Sequence, residues 1–95
     1  MSEPRLTYVY CYDIDNDRVR GRFARFIERH AVRVQKSVFE ARLTEAEANR
    51  LFEALSRRID LGDALRMYCL APAALAKCRS TGGTPLPEEG EFWIV

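Results

Sequence analysis

Leu6-Thr7-Tyr8-Val9-Tyr10-Cys11-Tyr12, followed at once by Asp13-Ile14-Asp15-Asn16-Asp17, is the stretch that decides the fold. Tyr8, Tyr10 and Tyr12 alternate with Thr7, Val9 and Cys11, which is the period of a β-strand with both faces covered. The tyrosine face is expected to lie against helices or against the sheet of a second subunit. Three aspartates and an asparagine then stop the strand, because their short side chains bond nearby amides in turns and at helix N-termini. Asp15 and Asp17 are expected as helix caps. From Arg18 to His30 the period changes: Val19, Phe23, Phe26 and Ile27 fall at i, i+4, i+7 and i+8, one apolar face of a helix.

Arg33–Leu43 (RVQKSVFEARL) reads as extended again, but it is long for one strand. A bulge or break near Ser37, or two short strands, is expected there. Thr44 with Glu47 forms a capping box, and Ala48, Leu51, Phe52, Leu55 and Ile59 give a second helix its buried face. Asp60-Leu61-Gly62-Asp63 ends that helix, Ala64–Leu70 (ALRMYCL) is another strand, and Pro72 stops it. Residues 75–81 form a weaker element of ambiguous type. Gly82-Gly83, Pro85 and Pro87 mark an extended arm, and Phe92-Trp93-Ile94-Val95 an apolar terminal strand. This order predicts an α/β (α+β) fold: a ferredoxin-like βαββαβ sandwich over residues 1–83, with an arm and extra strand over 84–95.

Ninety-five residues make one domain with little room for a deep cleft, which favours a site between subunits. The tyrosine-rich strand and the apolar C-terminal strand argue for a homodimer, in which the last strand pairs with the partner subunit. Hydrophobic residues make up 47% of the chain and aromatic residues 11%, enough for a core and incompatible with disorder. No apolar run approaches the roughly 20 residues of a membrane span, and MSEPRL lacks a signal-peptide core, so a cytoplasmic protein without membrane contact is expected. Three cysteines without CxxC spacing and one histidine offer no zinc ligand set.

The net charge is +1, which speaks against a uniformly basic nucleic-acid binder. The basic residues are nevertheless thirteen arginines and only two lysines. Such a skew reflects either oxyanion recognition by the guanidinium fork or a genome that favours arginine. Its distribution is uneven. Residues 18–33 hold six arginines and one acid, Glu28, a local charge of +5. Arg18, Arg22, Arg25 and Arg29 fall within about a 60° arc of the first helix and form a candidate phosphate stripe. The second helix interleaves its signs (Glu47, Arg50, Glu53, Arg57) and reads as ordinary surface. Asp13, at a strand end before a helix, is the candidate catalytic carboxylate and a hard oxygen ligand for Mg²⁺. His30, at the helix end, reads as a dipole-complementing residue, and Ser37 has no base or elbow around it.

Tyr8-Val9-Tyr10-Cys11-Tyr12-Asp13-Ile14, then an Arg-bearing helix, then Arg33-Val34-Gln35-Lys36-Ser37-Val38-Phe39-Glu40 and Leu43-Thr44, together resemble the small CRISPR-associated protein of the spacer-acquisition machinery (the Cas-two family). The resemblance spans most of residues 7–80. It implies a ferredoxin-like homodimer with sheets face to face, and Asp13 of each subunit sharing one Mg²⁺. It also implies metal-dependent endonuclease activity on single-stranded RNA or duplex DNA, and an integrase partner. The positions that carry over to the catalytic set are Tyr12, Asp13, Arg20, Arg22, Arg33 and Phe39. Lys36, where a tyrosine is common in the family, adds a cation to the nucleic-acid set of Arg18, Arg22, Arg25 and Arg29. The turn His30-Ala31-Val32 lacks the usual glycine. Two other readings stand beside this one: a non-catalytic scaffold clamping pre-spacer duplex and integrase, and a ribonuclease toxin of related fold.

Overall fold

The computed structural model describes residues 3–83, so the arm and terminal strand expected over 84–95 lie outside the described residues. Strands β1 (Leu6–Asp13), β2 (Val32–Gln35), β3 (Val38–Leu43) and β4 (Ala64–Leu70) alternate with helices α1 (Asp17–Ile27) and α2 (Glu45–Ser56), and a short helix α3 (Pro72–Leu75) closes the described part. The sheet is antiparallel in the order β2-β3-β1-β4. This is the ferredoxin-like βαββαβ sandwich, with β1 at its centre.

β1 forms where expected, and the two alternatives for its tyrosine face are now resolved. Tyr8, Tyr10 and Tyr12 lie beneath the chain's own helices and belong to the core. Tyr10 is fully buried, and its hydroxyl donates to the Ala48 carbonyl at 2.9 Å, which ties the central strand to α2. Phe23 and Ile27 from α1, Leu51 and Leu55 from α2, and Phe39, Ala41 and Leu43 from β3 complete this layer. Burying each of the large ones is worth about 1.5–3 kcal/mol relative to exposure. The tyrosines therefore supply no argument for a dimer.

The 33–43 segment splits at Lys36-Ser37, and the β2–β3 register shifts between Arg33 and Gln35. The first helix is shorter than expected. It ends at Ile27, and the amides of Arg29 and His30 bond back to the Phe26 and Ile27 carbonyls in a tightened closing turn. His30 accordingly lies past the helix C-cap. Its ring is buried, edge-on to Phe26 at 5.3 Å. The Thr44–Glu47 capping box is present in both directions. The element of ambiguous type expected over 75–81 is not formed: a short helix lies just before it at Pro72–Leu75, with the proline in the first turn, where its missing N–H is harmless, and residues 76–81 are turn and irregular.

The opposite sheet face carries no helix. By register it presents Val9 and Cys11 from β1, Val38, Glu40 and Arg42 from β3, and Ala64, Arg66, Tyr68 and Leu70 from β4. Among the described residues this face is only partly covered, and Tyr68 stays 48% exposed.

Candidate nucleic-acid and metal site

Asp13 is the last residue of β1, pairs with Ala64 of β4, and is exposed. Its parity with Val9 and Cys11 places it on the helix-free face. The turn that follows is built by its neighbours. Asn16, not an aspartate, caps α1, accepting from the Val19 amide at 3.0 Å. Asp17 sits in the first turn and pairs with Arg20. The Asp15 amide donates to Asp63 Oδ1 at 3.4 Å, while Asp63 Oδ2 takes the Asp60 amide at 2.9 Å. Asp63 thus links the turn after β1 to the loop before β4, at the same end of the sheet as Asp13.

Arg20 is fully engaged in that turn. Its Nη1 donates to the Ile14 carbonyl at 2.8 Å and the Asp15 carbonyl at 3.2 Å, and Nη2 meets Asp17. Its guanidinium fixes the two residues after Asp13 and leaves little for a phosphate.

Tyr12, Arg33 and Phe39 come together on the helix side. The Tyr12 ring lies 4.5 Å from that of Phe23 and 6.2 Å from that of Phe39, and the Arg33 guanidinium sits 4.9 Å over Phe39. Arg33 Nη1 and the Tyr12 hydroxyl both donate to the Lys36 carbonyl, at 2.6 and 3.4 Å, and the Tyr12 amide bonds the Ser37 carbonyl at 3.1 Å. Arg33 Nη2 also lies 3.7 Å from Glu28. This cluster clamps the β2–β3 turn against the end of β1 and leaves the Lys36 side chain exposed beside the same sheet end. Burial raises the Tyr12 phenol, with Arg33 opposing, so at neutral pH it is a hydrogen-bond donor and not a base.

The stripe Arg18, Arg22, Arg25 and Arg29 is exposed along its whole length, and none of the four forms an ion pair with a described residue. Arg22 joins this outer surface, whereas Arg20, Arg33, Tyr12 and Phe39 support the turns on either side of Asp13. Metal ligation by one chain does not fit the residues present. Among the described residues no group of three or more His, Cys, Asp or Glu could hold an ion. Asp63 and Asp17 are already occupied by amides and by Arg20, whereas the exposed carboxylates of Asp13 and Asp15 accept no bond among the described residues, and of these two Asp13 ends the strand.

Two features were missed in the sequence reading. Glu40, on the helix-free face beside Val9, has Oε1 buried with no partner among the described residues, and burial raises its carboxyl. Two positions along, Arg42 buries its Nε unpartnered while Nη2 reaches the Arg5 carbonyl at 3.3 Å. Charged residues alternating with Ala41 on a strand were the available signal. The other feature is a groove between α1 and α2, lined by Phe26 and His30 on one side and by Arg50, Glu53 and Arg57 on the other.

The chain is thus a small antiparallel ferredoxin-like sandwich with an exposed aspartate at the end of a central strand and an arginine-striped first helix. Residues 6–77 match the model of CRISPR associated protein Cas2, and the chain belongs to that family. A CRISPR-associated endonuclease Cas2 of Thermus thermophilus is 40% identical over 93 residues, covering 93% of this chain and 94% of its own. A CRISPR-associated endoribonuclease Cas2 of Synechocystis is 38% identical, with 93% and 97% covered. Among solved structures, a Thermus thermophilus hypothetical protein (TT1823) superposes with a TM-score of 0.72 at 38% identity, over 88% of this chain and 99% of that one. The Cas2 chain of Streptococcus pyogenes gives 0.67 at 25%, over 81% and 100%. A chain from a partial Cas6-RT-Cas1–Cas2 complex gives 0.68 at 25%, over 87% and 98%. No helix among the described residues is long and apolar enough to cross a membrane.

Proposed function

We propose that this chain serves CRISPR adaptation as a homodimer joined through the helix-free sheet face. In this reading it binds nucleic acid along α1 and carries an Mg²⁺-dependent endonuclease site made from Asp13 of each copy. The observation that carries the reading is the setting of Asp13: an exposed carboxylate on the helix-free face, at a sheet end braced by Arg20, Asp63 and the Tyr12–Arg33–Phe39 clamp. Two such carboxylates facing one another repel unless a cation or proton lies between them. Mg²⁺ prefers oxygen ligands and, when bound, would polarise a phosphodiester and its attacking water. The exposed Lys36 and Arg22 would hold the phosphate, and Arg20 and Arg33 would act by fixing the turns. The likeness to a chain from a complex named for Cas1 and Cas2 supports an integrase partner.

A second reading, a scaffold that holds duplex and integrase without cutting, is favoured by the small donor set and by a Tyr12 already committed to the Lys36 carbonyl. Asp13→Ala separates the two, since the side chain is exposed and its loss leaves the fold intact. Mg²⁺ binding by calorimetry and cleavage of single-stranded RNA and duplex DNA are measured for both proteins. Cleavage and metal binding that vanish together with Asp13 support the nuclease. Cleavage that survives the substitution overturns the site, and intact nucleic-acid binding with no cleavage by either protein establishes the scaffold.

A further inference from the structure

The β1–β4 ladder ends at the pair Asp13–Ala64, and the chain beyond it on either side runs into a turn. Backbone pairing alone therefore leaves Asp13 at a position where strands fray. The turn before β4 closes on itself. The Asp63 amide donates to the Asp60 carbonyl at 3.0 Å, and the Asp60 amide donates back to Asp63 Oδ2 at 2.9 Å. Gly62, at φ 95°, supplies the left-handed residue that this tight turn requires. With one oxygen spent on its own turn, Asp63 reaches across with the other, and Oδ1 accepts the Asp15 amide at 3.4 Å.

Ile14 follows Asp13 and Asp63 precedes Ala64, so these bonds close a ring: Asp13, Ile14 and Asp15, across to Asp63 and Ala64, and back through the strand pair. The Asp63 side chain thus adds one rung beyond the last backbone pair, and Asp13 is held from both sides. On the other flank of the same peptide, Arg20 Nη1 fixes the Ile14 and Asp15 carbonyls. The Oδ2 bond already serves the 60–63 turn, so turn formation does not account for the reach of Oδ1 to a residue 48 positions away. Holding two amides takes two acceptor oxygens. A carboxylate has both, whereas an asparagine has one and would set its NH₂ against an N–H.

We propose that Asp63 is a positioning residue for Asp13: by holding the Asp15 amide it keeps the strand end paired and the Asp13 carboxylate in place. The inference rests on the nuclease reading above and deepens it by naming the residue on which the placement of its carboxylate depends. A group that acts on a phosphodiester is effective only within about 0.5 Å of its productive position. Asp13 is exposed, and its carboxylate accepts no bond among the described residues, so its placement comes from the backbone that carries it. That backbone is fixed by the half-buried Asp63 across the strand pair and by Arg20 from α1. Asp63 acts through Asp13, so its loss should lower the rate of cleavage and leave the affinity for nucleic acid unchanged.

The test compares the unmodified chain with Asp63→Ala, Asp63→Asn and Thr44→Ala, the last of which opens the capping box of α2 and controls for lost stability. Thermal melting confirms that each protein is folded at the assay temperature. Hydrogen exchange at the Asp15 and Asp60 amides is followed by NMR without metal. Cleavage of single-stranded RNA and duplex DNA is measured with Mg²⁺ over a range of substrate concentrations, and Mg²⁺ binding by calorimetry. Asp63→Ala is expected to speed exchange at both amides and to lower the maximal cleavage rate about 10–100-fold, the usual loss when the support of a site residue is removed. The half-saturating substrate concentration should not change. Asp63→Asn, which keeps one acceptor oxygen, should fall between, and Thr44→Ala should match the unmodified chain in rate and in Asp15 exchange. Asp15 exchange that is unaltered in Asp63→Ala, or a rate lowered equally by Thr44→Ala, overturns the inference and leaves the Asp13 site standing. A higher half-saturating concentration at constant rate makes Asp63 a substrate contact and also overturns it. So does loss of Mg²⁺ binding in Asp63→Asn without faster Asp15 exchange, which makes Asp63 a ligand. Absence of cleavage by the unmodified chain overturns the nuclease reading and with it the purpose assigned to the rung, while exchange still reports the rung itself.

Discussion

Replacing Arg33 by Ala should unclamp the β2–β3 turn, and its cost can be worked from the contacts. The guanidinium donates a charge-assisted bond to the Lys36 carbonyl at 2.6 Å, a type of interaction worth about 1.5–3 kcal/mol in mutational series. The side chain is 39% exposed, which places this bond toward the lower end. Stacking 4.9 Å over Phe39 adds about 0.5–1 kcal/mol. The 3.7 Å pair with the half-exposed Glu28 adds about 0–1 kcal/mol after solvent screening. These terms share one side chain and do not sum independently, so a loss of about 2 kcal/mol is expected. For a domain of this size that is a fall in Tm of about 8–15 °C, measured at fixed protein concentration because association would raise Tm. Arg33→Lys should recover less than half of it, since an ammonium cannot cover the ring and reach the carbonyl in one plane. Arg22→Ala, on the open stripe, should stay within about 0.5 kcal/mol of the unmodified chain. An Arg33→Ala protein as stable as Arg22→Ala would refute the clamp and return Arg33 to direct phosphate contact.

Two other substitutions test the framework around the site. Glu40, raised by burial, keeps its proton in the folded chain over a range where the unfolded chain has lost it, so stability should decline as pH rises from the ordinary carboxylate value through the raised one and then level off. Glu40→Gln should abolish that decline, and a mutant-to-parent difference in urea midpoint that is equal at about pH 4 and about pH 8 would contradict it. Thr44→Ala should cost about 1 kcal/mol by opening the capping box. It should also release Glu47, whose carboxyl is held low against the opposing effect of burial by the Thr44 bonds and Arg5. The stability that Glu47 contributes above the usual carboxylate range, lost as pH falls through its lowered value, should therefore shrink in a pH series of melts.

The fold was legible because its signals are local and agree. The tyrosine alternation, the change of period after Asp17, the capping box and the Ala64–Leu70 strand all become the elements they indicated. Helix length was not, because the backward bonds of Arg29 and His30 tighten the last turn after Ile27, a choice made by packing His30 against Phe26. At the site, position was readable and role was not. A motif places Arg20, Arg22 and Arg33 near one another along the chain, but only the fold shows that two of them hold carbonyls while the third faces solvent. The α2 arginines escaped for a related reason. Alternating signs along a helix suggest pairing, yet which rotamers meet depends on what lies opposite, and opposite Arg50 and Arg57 lies α1.

The arginine skew itself can now be divided by use. Arg20, Arg33, Arg42 and Arg58 each donate to a main-chain carbonyl, and Arg5 pairs with Glu47. Arg33 and Arg58 stack on a ring at the same time. A planar fork of donors can do both at once and a lysine ammonium cannot, so these positions require arginine for the fold. Arg18, Arg22, Arg25, Arg29, Arg50 and Arg57, on the helix layer, make no such bond among the described residues, nor does Arg79 beyond α3, and Arg66 on the helix-free face reaches only the Tyr68 hydroxyl. A genomic preference for arginine would scatter unpaired guanidinium groups over every surface. Six of these eight lie on the layer opposite the Asp13 face, which is therefore the more strongly basic of the two sides. One carries the exposed strand-end carboxylate of Asp13, and the other most of the uncommitted guanidinium groups. A net charge of +1 is what remains when those two sides, and the arginines already committed to carbonyls and acids, are averaged.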